Sequence, residues 1–63
     1  MITLDDIPKL KDNGRYEHEF SGLSTDSKPI GTYKGKGIAN SSAFFELDTQ
    51  GVKFYDESTD TWL

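Results

Sequence analysis

The sequence predicts a mainly β protein in which one small antiparallel sheet forms the centre of a single domain, residues 1–63. Three observations lead to this prediction. Polar and apolar residues alternate over residues 15–20, two strand-like runs flank a short turn within residues 43–55, and glycine, serine and proline interrupt the longer patterns. A C-terminal hairpin followed by a short return strand is therefore expected, with at most a short N-terminal helical turn.

Residues 1–14 are predicted to form an N-terminal arm. Its apolar residues are scattered, and Pro8 disfavours the helical conformation in the residue before it, so a long helix is not expected. Asp12, Asn13 and Gly14 form a typical turn sequence in which Gly14 is free to adopt a positive φ. The chain is therefore expected to reverse direction at the end of the arm.

The run RYEHEF, residues 15–20, predicts a half-buried strand with Tyr16, His18 and Phe20 on one face. His18 is the only histidine in the chain, and we interpret it as a packed side chain rather than a metal ligand or general base. Residues 21–37 are rich in serine, threonine, glycine and proline, which indicates a loop-rich segment or an irregular strand pair. Its fragment GTYKGKG lacks the Gly-Lys-Ser/Thr ending of a phosphate-binding loop.

A hairpin is predicted around the turn sequence DTQG, residues 48–51, because Asp48 suits the first position of a type I turn and Gly51 the last. We expect Asp48 to face Gly51, which places Phe45 opposite Phe54. A glycine bulge would shift this register by one residue and remains an alternative. One face of the predicted hairpin then holds Phe45, Leu47, Val52 and Phe54, and the other holds Phe44, Glu46, Lys53 and Tyr55.

Burial and exposure follow from this pattern. The more apolar face of the hairpin is predicted to join the core, and the mixed face to lie outside, where its aromatic residues are available to a neighbouring molecule. The predicted core consists of Phe20, Phe45, Leu47, Val52, Phe54 and Trp62. The predicted interface consists of Ile2, Leu4, Ile7, Tyr33, Phe44 and Tyr55.

The C-terminal run FYDESTDTWL raises the question of a metal site. Asp56, Ser58 and Asp60 lie two residues apart, which is how a calcium-binding loop begins, but the glycine and the bidentate glutamate of such a loop are missing. Aspartate and serine side chains also bond to nearby backbone amides and reverse the chain. We therefore predict a turn that returns Trp62 onto the strand of Tyr55, with neither metal nor cofactor.

Composition restricts the classes of partner. The chain has a net charge of −4 and a pI near 4.6, which disfavours binding to nucleic acid through its phosphates. No apolar run approaches the ~18 residues that a membrane span needs, so no membrane partner is expected. The chain contains no cysteine, which excludes disulfides. Because so small a core is marginal on its own, we expect the chain to form a homo-oligomer.

The C-terminal segment resembles a recurring pattern in small phage and prophage-encoded, virion-associated β proteins. There an Asp-Thr turn leads to an alternating strand that ends in Tyr-Asp, followed by a polar turn and a tryptophan. The resemblance covers residues 48–62 and implies an oligomeric structural protein, located in the bacterial cytoplasm during expression or in the phage particle, with other virion or host proteins as further partners. It brings no catalytic residues. The matching positions are Asp48, Thr49, Val52, Phe54, Tyr55, Asp56 and Trp62.

The predicted function is that of a non-enzymatic phage or prophage structural protein that self-assembles through aromatic β surface. An enzyme is disfavoured because a nucleophile needs an activating base within hydrogen-bond reach, and the chain has one histidine and no cysteine. The alternative is a small acidic inhibitor that mimics a ligand of a basic host protein. A continuous acidic face would favour this alternative, and scattered acids among exposed aromatic residues would favour self-assembly.

Overall fold

The computed structural model describes residues 2–63, and this part of the chain contains nine β-strands and no helix. The mainly β class is therefore confirmed, and the short N-terminal helical turn that the sequence allowed is absent from the described residues. The strands are β1 (Thr3–Leu4), β2 (Lys9–Leu10), β3 (Tyr16–Glu17), β4 (Glu19–Gly22), β5 (Thr32–Tyr33), β6 (Lys36–Gly37), β7 (Ala43–Glu46), β8 (Gly51–Asp56) and β9 (Thr61–Trp62).

Five of these strands form the main sheet, in the order β1-β4-β7-β8-β9. All neighbours are antiparallel except β4 and β7, which run parallel with Phe20 beside Phe44. A parallel pair needs a long crossover connection, and residues 23–42 supply it. The sequence analysis did not predict this pair, because local alternation carries no information about which distant strands become neighbours.

Two short hairpins complete the fold, β2–β3 and β5–β6. The first turns at Asp12–Gly14, where Gly14 has φ +84°, so the predicted reversal is confirmed. The second turns at Lys34 and Gly35, whose φ values are +50° and +84°. Positive φ at both central residues is the type I′ pattern that matches the twist of two-residue hairpins. The segment 21–37 is thus an irregular connection that carries one small hairpin.

The C-terminal hairpin is present, but its predicted register is wrong. Phe45 lies opposite Val52, not opposite Phe54, so the pairing has moved by two residues and the turn is two residues longer. The turn now comprises residues 47–50, and the Asp48 side chain accepts hydrogen bonds from the backbone N and the Oγ of Ser24, at 2.9 and 2.6 Å. The Thr49 hydroxyl donates to Glu46 and accepts from the Gly51 amide, which closes the longer turn.

The buried face of the hairpin is the opposite of the predicted one. A shift of two residues keeps the two sets of side chains separate, but the mixed face is the one that the crossover connection covers. Phe44 and Tyr55 are 0% and 3% exposed, so they are not available to a neighbouring molecule, and this part of the predicted interface is wrong. The predicted core residues Phe45, Leu47, Val52 and Phe54 are instead exposed.

An aromatic cluster forms the core between the sheet and the crossover connection. Phe20 is fully buried, and its ring centroid lies 4.9 Å from that of Tyr33, 6.4 Å from Phe44 and 6.1 Å from Trp62. Most of these pairs have the edge-to-face geometry that aromatic rings prefer. Trp62 also contacts Tyr55, at 5.0 Å. The core therefore depends on rings that five different strands contribute.

A nearly buried ion pair lies at one end of this core. The Lys28 ammonium lies 3.5 Å from the Glu46 carboxylate and 4.6 Å above the centre of the Phe44 ring. Glu46 is 8% exposed. Because Lys28 pairs with it, the hairpin face that contains both Phe44 and Glu46 can lie inside. A charge is tolerated inside a protein when it has a partner of opposite charge, and the crossover connection brings that partner.

Candidate interaction surface

The main sheet has one covered face and one uncovered face. Because successive side chains of a strand point to opposite sides, the residues that alternate with the buried ones form the outer face. Within β7 and β8, Phe45 pairs with Val52 in one row and Ala43 with Phe54 in the next. Leu63 continues the second row, since its amide donates to the Phe54 carbonyl at 2.8 Å.

Five apolar side chains on this outer face are exposed, and we refer to them as the apolar face. At about 200 Å² per large side chain, their exposures of 42–69% leave about 500 Å² of apolar surface in contact with water. A patch of this size is at the upper end of what soluble monomers present and marks an interaction site in many proteins. The apolar face consists of Phe45, Leu47, Val52, Phe54 and Leu63.

The same outer face is acidic and polar on its other side, over β1 and β4. Asp5 and Glu19 are both exposed there, and the Asp5 amide donates to the Glu19 carbonyl at 2.8 Å. The Ser21 hydroxyl donates to the Asp5 carboxylate at 3.0 Å, which places both side chains on this face. Among residues 2–63, neither carboxylate has a basic partner. We refer to Asp5 and Glu19 as the acidic margin.

Several other acidic side chains accept hydrogen bonds that hold the turns in place. In the C-terminal turn the Asp56 carboxylate accepts hydrogen bonds from the Ser58 amide and hydroxyl, at 3.1 and 2.7 Å, and from the Thr59 hydroxyl, at 3.1 Å. These bonds hold the pKa of Asp56 below its ordinary value. Tyr55 pairs with Trp62 across this turn. The predicted turn that returns Trp62 onto the strand of Tyr55 is therefore confirmed.

A polar network ties this turn to the rest of the chain. Asp60 accepts a hydrogen bond from the Tyr55 hydroxyl at 2.8 Å and one from the Arg15 guanidinium at 3.2 Å, and both lower the pKa of Asp60. Glu57 accepts from the Asn13 side chain at 2.8 Å and from the Asn40 amide at 3.1 Å. These carboxylates are occupied by structural partners, and they do not form a continuous acidic surface.

His18 lies inside the aromatic cluster and has no access to solvent. It is 0% exposed and stacks on Phe20 with ring centroids 5.3 Å apart. Its Nδ1 is 2.8 Å from the Tyr16 carbonyl and therefore donates to it, while Nε2 has no hydrogen-bond partner among the described residues. Burial lowers the pKa of His18, so the neutral ring is favoured. A sealed imidazole is a packing element, because no substrate reaches it.

Two shallow cavities open elsewhere on the described surface. One, of about 260 Å³, lies between the first turn and Glu57, and the other, of about 390 Å³, lies beside Asp5, Asp6 and Ile7. Residues 2–63 contain no group of three or more side chains that could hold a metal ion.

The remaining predicted interface residues are divided between surface and core. Ile7 is 81% exposed in the segment that joins β1 to β2. Ile2 and Leu4 are half-buried, and Tyr33 is half-buried against Phe20 and His18. An interface role for these four residues stays a prediction.

Sequence reasoning missed Leu63 as a surface residue. The signal was available, because Leu63 follows Trp62, and successive side chains of a strand point to opposite sides of the sheet.

Comparisons with known proteins give no relative for this chain. No family model matches it, and neither a curated protein nor a solved structure shows significant similarity to it. The resemblance of residues 48–62 to virion-associated proteins therefore stays a prediction. No helix in the described part of the chain has the length and apolar character of a membrane span.

Proposed function

We propose that this chain is a non-enzymatic structural protein that self-assembles through the outer face of its main sheet. The observation that carries the proposal is the apolar face, where two phenylalanines and a valine are exposed on β7 and β8, with one leucine directly after β7 and another directly after β9. Covering such a surface removes apolar area from water, which is the main favourable term in most protein association. The aromatic β surface is therefore Phe45 and Phe54, and not the buried Phe44 and Tyr55.

The size of the surface supports a second copy as the occupant. A stable interface buries about 800 Å² on each partner, and the apolar face supplies about 500 Å² of apolar area on the scale used above. The polar residues around it supply the rim that such interfaces have. The total exposed surface of the chain is 4020 Å², so about one fifth of it would be covered at an interface of that size.

The acidic-inhibitor alternative receives less support from the same structure. A ligand mimic needs carboxylates that are free to meet a basic partner. Asp48, Asp56, Asp60 and Glu57 instead accept hydrogen bonds from their own chain. The acids are scattered over several turns, and the uncovered face of the sheet is apolar on the side of β7 and β8.

The non-enzymatic part of the proposal is supported by the position of His18. The only histidine of the chain is sealed inside the aromatic cluster and cannot act as a base on a bound substrate. The place of the protein in a phage particle rests on the resemblance of residues 48–62 alone. Within this proposal the sheet module would be one repeating part of an assembled structure.

The proposal is tested by a pair of substitutions compared in sedimentation velocity. Phe54→Ser removes an apolar side chain from the centre of the apolar face, and we expect it to convert the assembly to monomers. Ile30→Ser is the matched control, because Ile30 is 63% exposed on the crossover connection, away from the apolar face. Both variants are expected to keep the circular dichroism spectrum of the native chain. Equal effects of the two variants, or none of Phe54→Ser, would contradict the proposal.

A further inference from the structure

We infer that two copies of this chain pack outer face to outer face around a two-fold axis that runs parallel to the strands, between β7 and β8. This inference rests on the proposed function, which assigns the apolar face to self-assembly, and it adds how the second copy is oriented. Two observations lead to it: the distribution of charge over the outer face, and the sizes of the side chains in each row.

The charge distribution separates the two simple arrangements of a symmetric pair. A two-fold pair brings the same surface of both copies together. If the axis ran across the strands, every strand would lie over itself, and the acidic margin of one copy would face that of the other. Asp5 and Glu19 have no basic partner among residues 2–63, so their carboxylates would repel those of the second copy.

An axis along the strands removes this repulsion. It places β7 over β8 of the second copy and β4 over β9, while β1 lies over no strand of the partner. The Asp5 carboxylates of the two copies, which follow β1, then lie at opposite edges of the interface, where water solvates them. Glu19 is on β4 and therefore lies over β9 of the second copy, away from that copy's own Glu19. Aligned packing of two sheets is a common way to close a β-sandwich.

The sizes of the side chains favour the same axis. Ala43 and Phe54 are neighbours in one row, and Phe45 and Val52 are neighbours in the next. With the axis between β7 and β8, the large Phe54 ring of one copy lies over the small Ala43 of the other, and Phe45 lies over Val52. With the axis across the strands through the first row, Phe54 would meet Phe54 and Ala43 would meet Ala43. That arrangement leaves a clash beside a void, whereas interfaces pack as densely as protein interiors.

The orientation is tested by the distance between spin labels on the two copies. The chain has no cysteine, so Thr3→Cys provides one labelling site, on β1 at the acidic edge of the sheet. With strands about 4.8 Å apart and sheets about 10 Å apart, the inferred axis places the two labelled backbones about 25 Å apart. The axis across the strands through the row of Ala43 and Phe54 would bring them to about 17 Å, because Thr3 lies two residues from that row. A short distance in a sample that is dimeric would overturn the inferred orientation.

A second measurement distinguishes failure of the orientation from failure of the proposed function. The molar mass of the labelled protein is determined on the same sample, and a monomeric mass without dipolar coupling would overturn self-assembly itself. Removing charge gives an independent readout. Asp5→Asn is expected to change the dimer dissociation constant less than about twofold, because the inferred axis places the two Asp5 side chains at opposite edges of the interface. Tenfold tighter association, about 1.4 kcal/mol, would show that the margins face each other.

Discussion

At the scale of single residues, the buried histidine makes stability depend on pH. Burial lowers the pKa of His18 below its ordinary value of 6.5, and a contribution from Lys36 acts in the same direction. The hydrogen bond to the Tyr16 carbonyl acts against them. Between the folded and the unfolded pKa, the unfolded chain binds more protons, so acid favours unfolding there. His18 therefore stabilises the fold at neutral pH.

The prediction is that the free energy of unfolding decreases as the pH falls below about 6.5, and levels off once the pH lies below the folded-state pKa of His18. Denaturant melts at a series of pH values measure this dependence, and the NMR titration of the His18 ring identifies the group. His18→Asn is the control, because its amide N–H can still donate to the Tyr16 carbonyl but does not titrate. A pH dependence that persists in this variant would assign the effect to other groups.

A second residue-scale prediction concerns the turn of the β5–β6 hairpin. Lys34 has φ +50°, a conformation that is unfavourable for lysine and much less so for asparagine. We expect Lys34→Asn to stabilise the fold by about 0.5 kcal/mol, measured as a shift in the denaturant midpoint.

Lys36→Asn is the matched control for this turn. It removes the same charge from the same hairpin, but residue 36 does not have a positive φ. If both substitutions had equal effects on the midpoint, charge rather than backbone conformation would be the cause.

At the scale of elements, the β7–β8 hairpin shows what the sequence could predict. The two strands, the turn between them and the two sets of alternating side chains were all readable from residues 43–55. The choice of the buried set was not, because it depends on the crossover connection that covers the sheet. The Lys28 ammonium, on that connection, lies 3.5 Å from the Glu46 carboxylate. The alternation of residues within the hairpin gives no information about this contact, because Lys28 lies outside the hairpin.

Adjacent phenylalanines in this hairpin provide a direct test of which face is buried. Phe44 is 0% exposed and Phe45 is 42% exposed. Phe44→Ala is expected to lower the free energy of unfolding by about 3–5 kcal/mol, since it leaves a cavity in the core. Phe45→Ala is expected to lower it by less than about 1 kcal/mol at concentrations where the protein is monomeric. If Phe45→Ala destabilised the protein more than Phe44→Ala in denaturant melts, the buried face would be the one that the sequence predicts.

The return strand β9 gives a further element-scale prediction. The Trp62 ring packs against Phe44 and Tyr55, with centroids 6.0 and 5.0 Å away, and its Nε1 donates to the Pro29 carbonyl at 2.8 Å. Trp62→Ala is expected to destabilise the fold by about 3 kcal/mol, because packing and this hydrogen bond are both lost.

Trp62→Phe keeps much of the packing and removes only the indole N–H. It is expected to destabilise the fold by about 1 kcal/mol. A loss below about 1 kcal/mol for Trp62→Ala in denaturant melts would show that the C-terminal turn does not serve the core.

At the scale of the whole molecule, the main sheet is covered on only one of its two faces. The crossover connection covers the inner face, and no segment of the described residues 2–63 covers the apolar side of the outer face. Composition alone indicated that so small a core needs help from assembly. The location of the proposed assembly surface could not be predicted from the sequence, because it follows from the parallel pairing of β4 with β7 and from the face that this pairing buries.

At this scale we expect the apolar face to associate with another copy of the chain. The most direct test is the molar mass of the native protein in solution, measured by light scattering after size-exclusion chromatography over a dilution series. We expect twice the 7.1 kDa of the chain at high concentration, with a shift toward the monomer on dilution that follows mass action. A mass of 7.1 kDa at every concentration would contradict the claim.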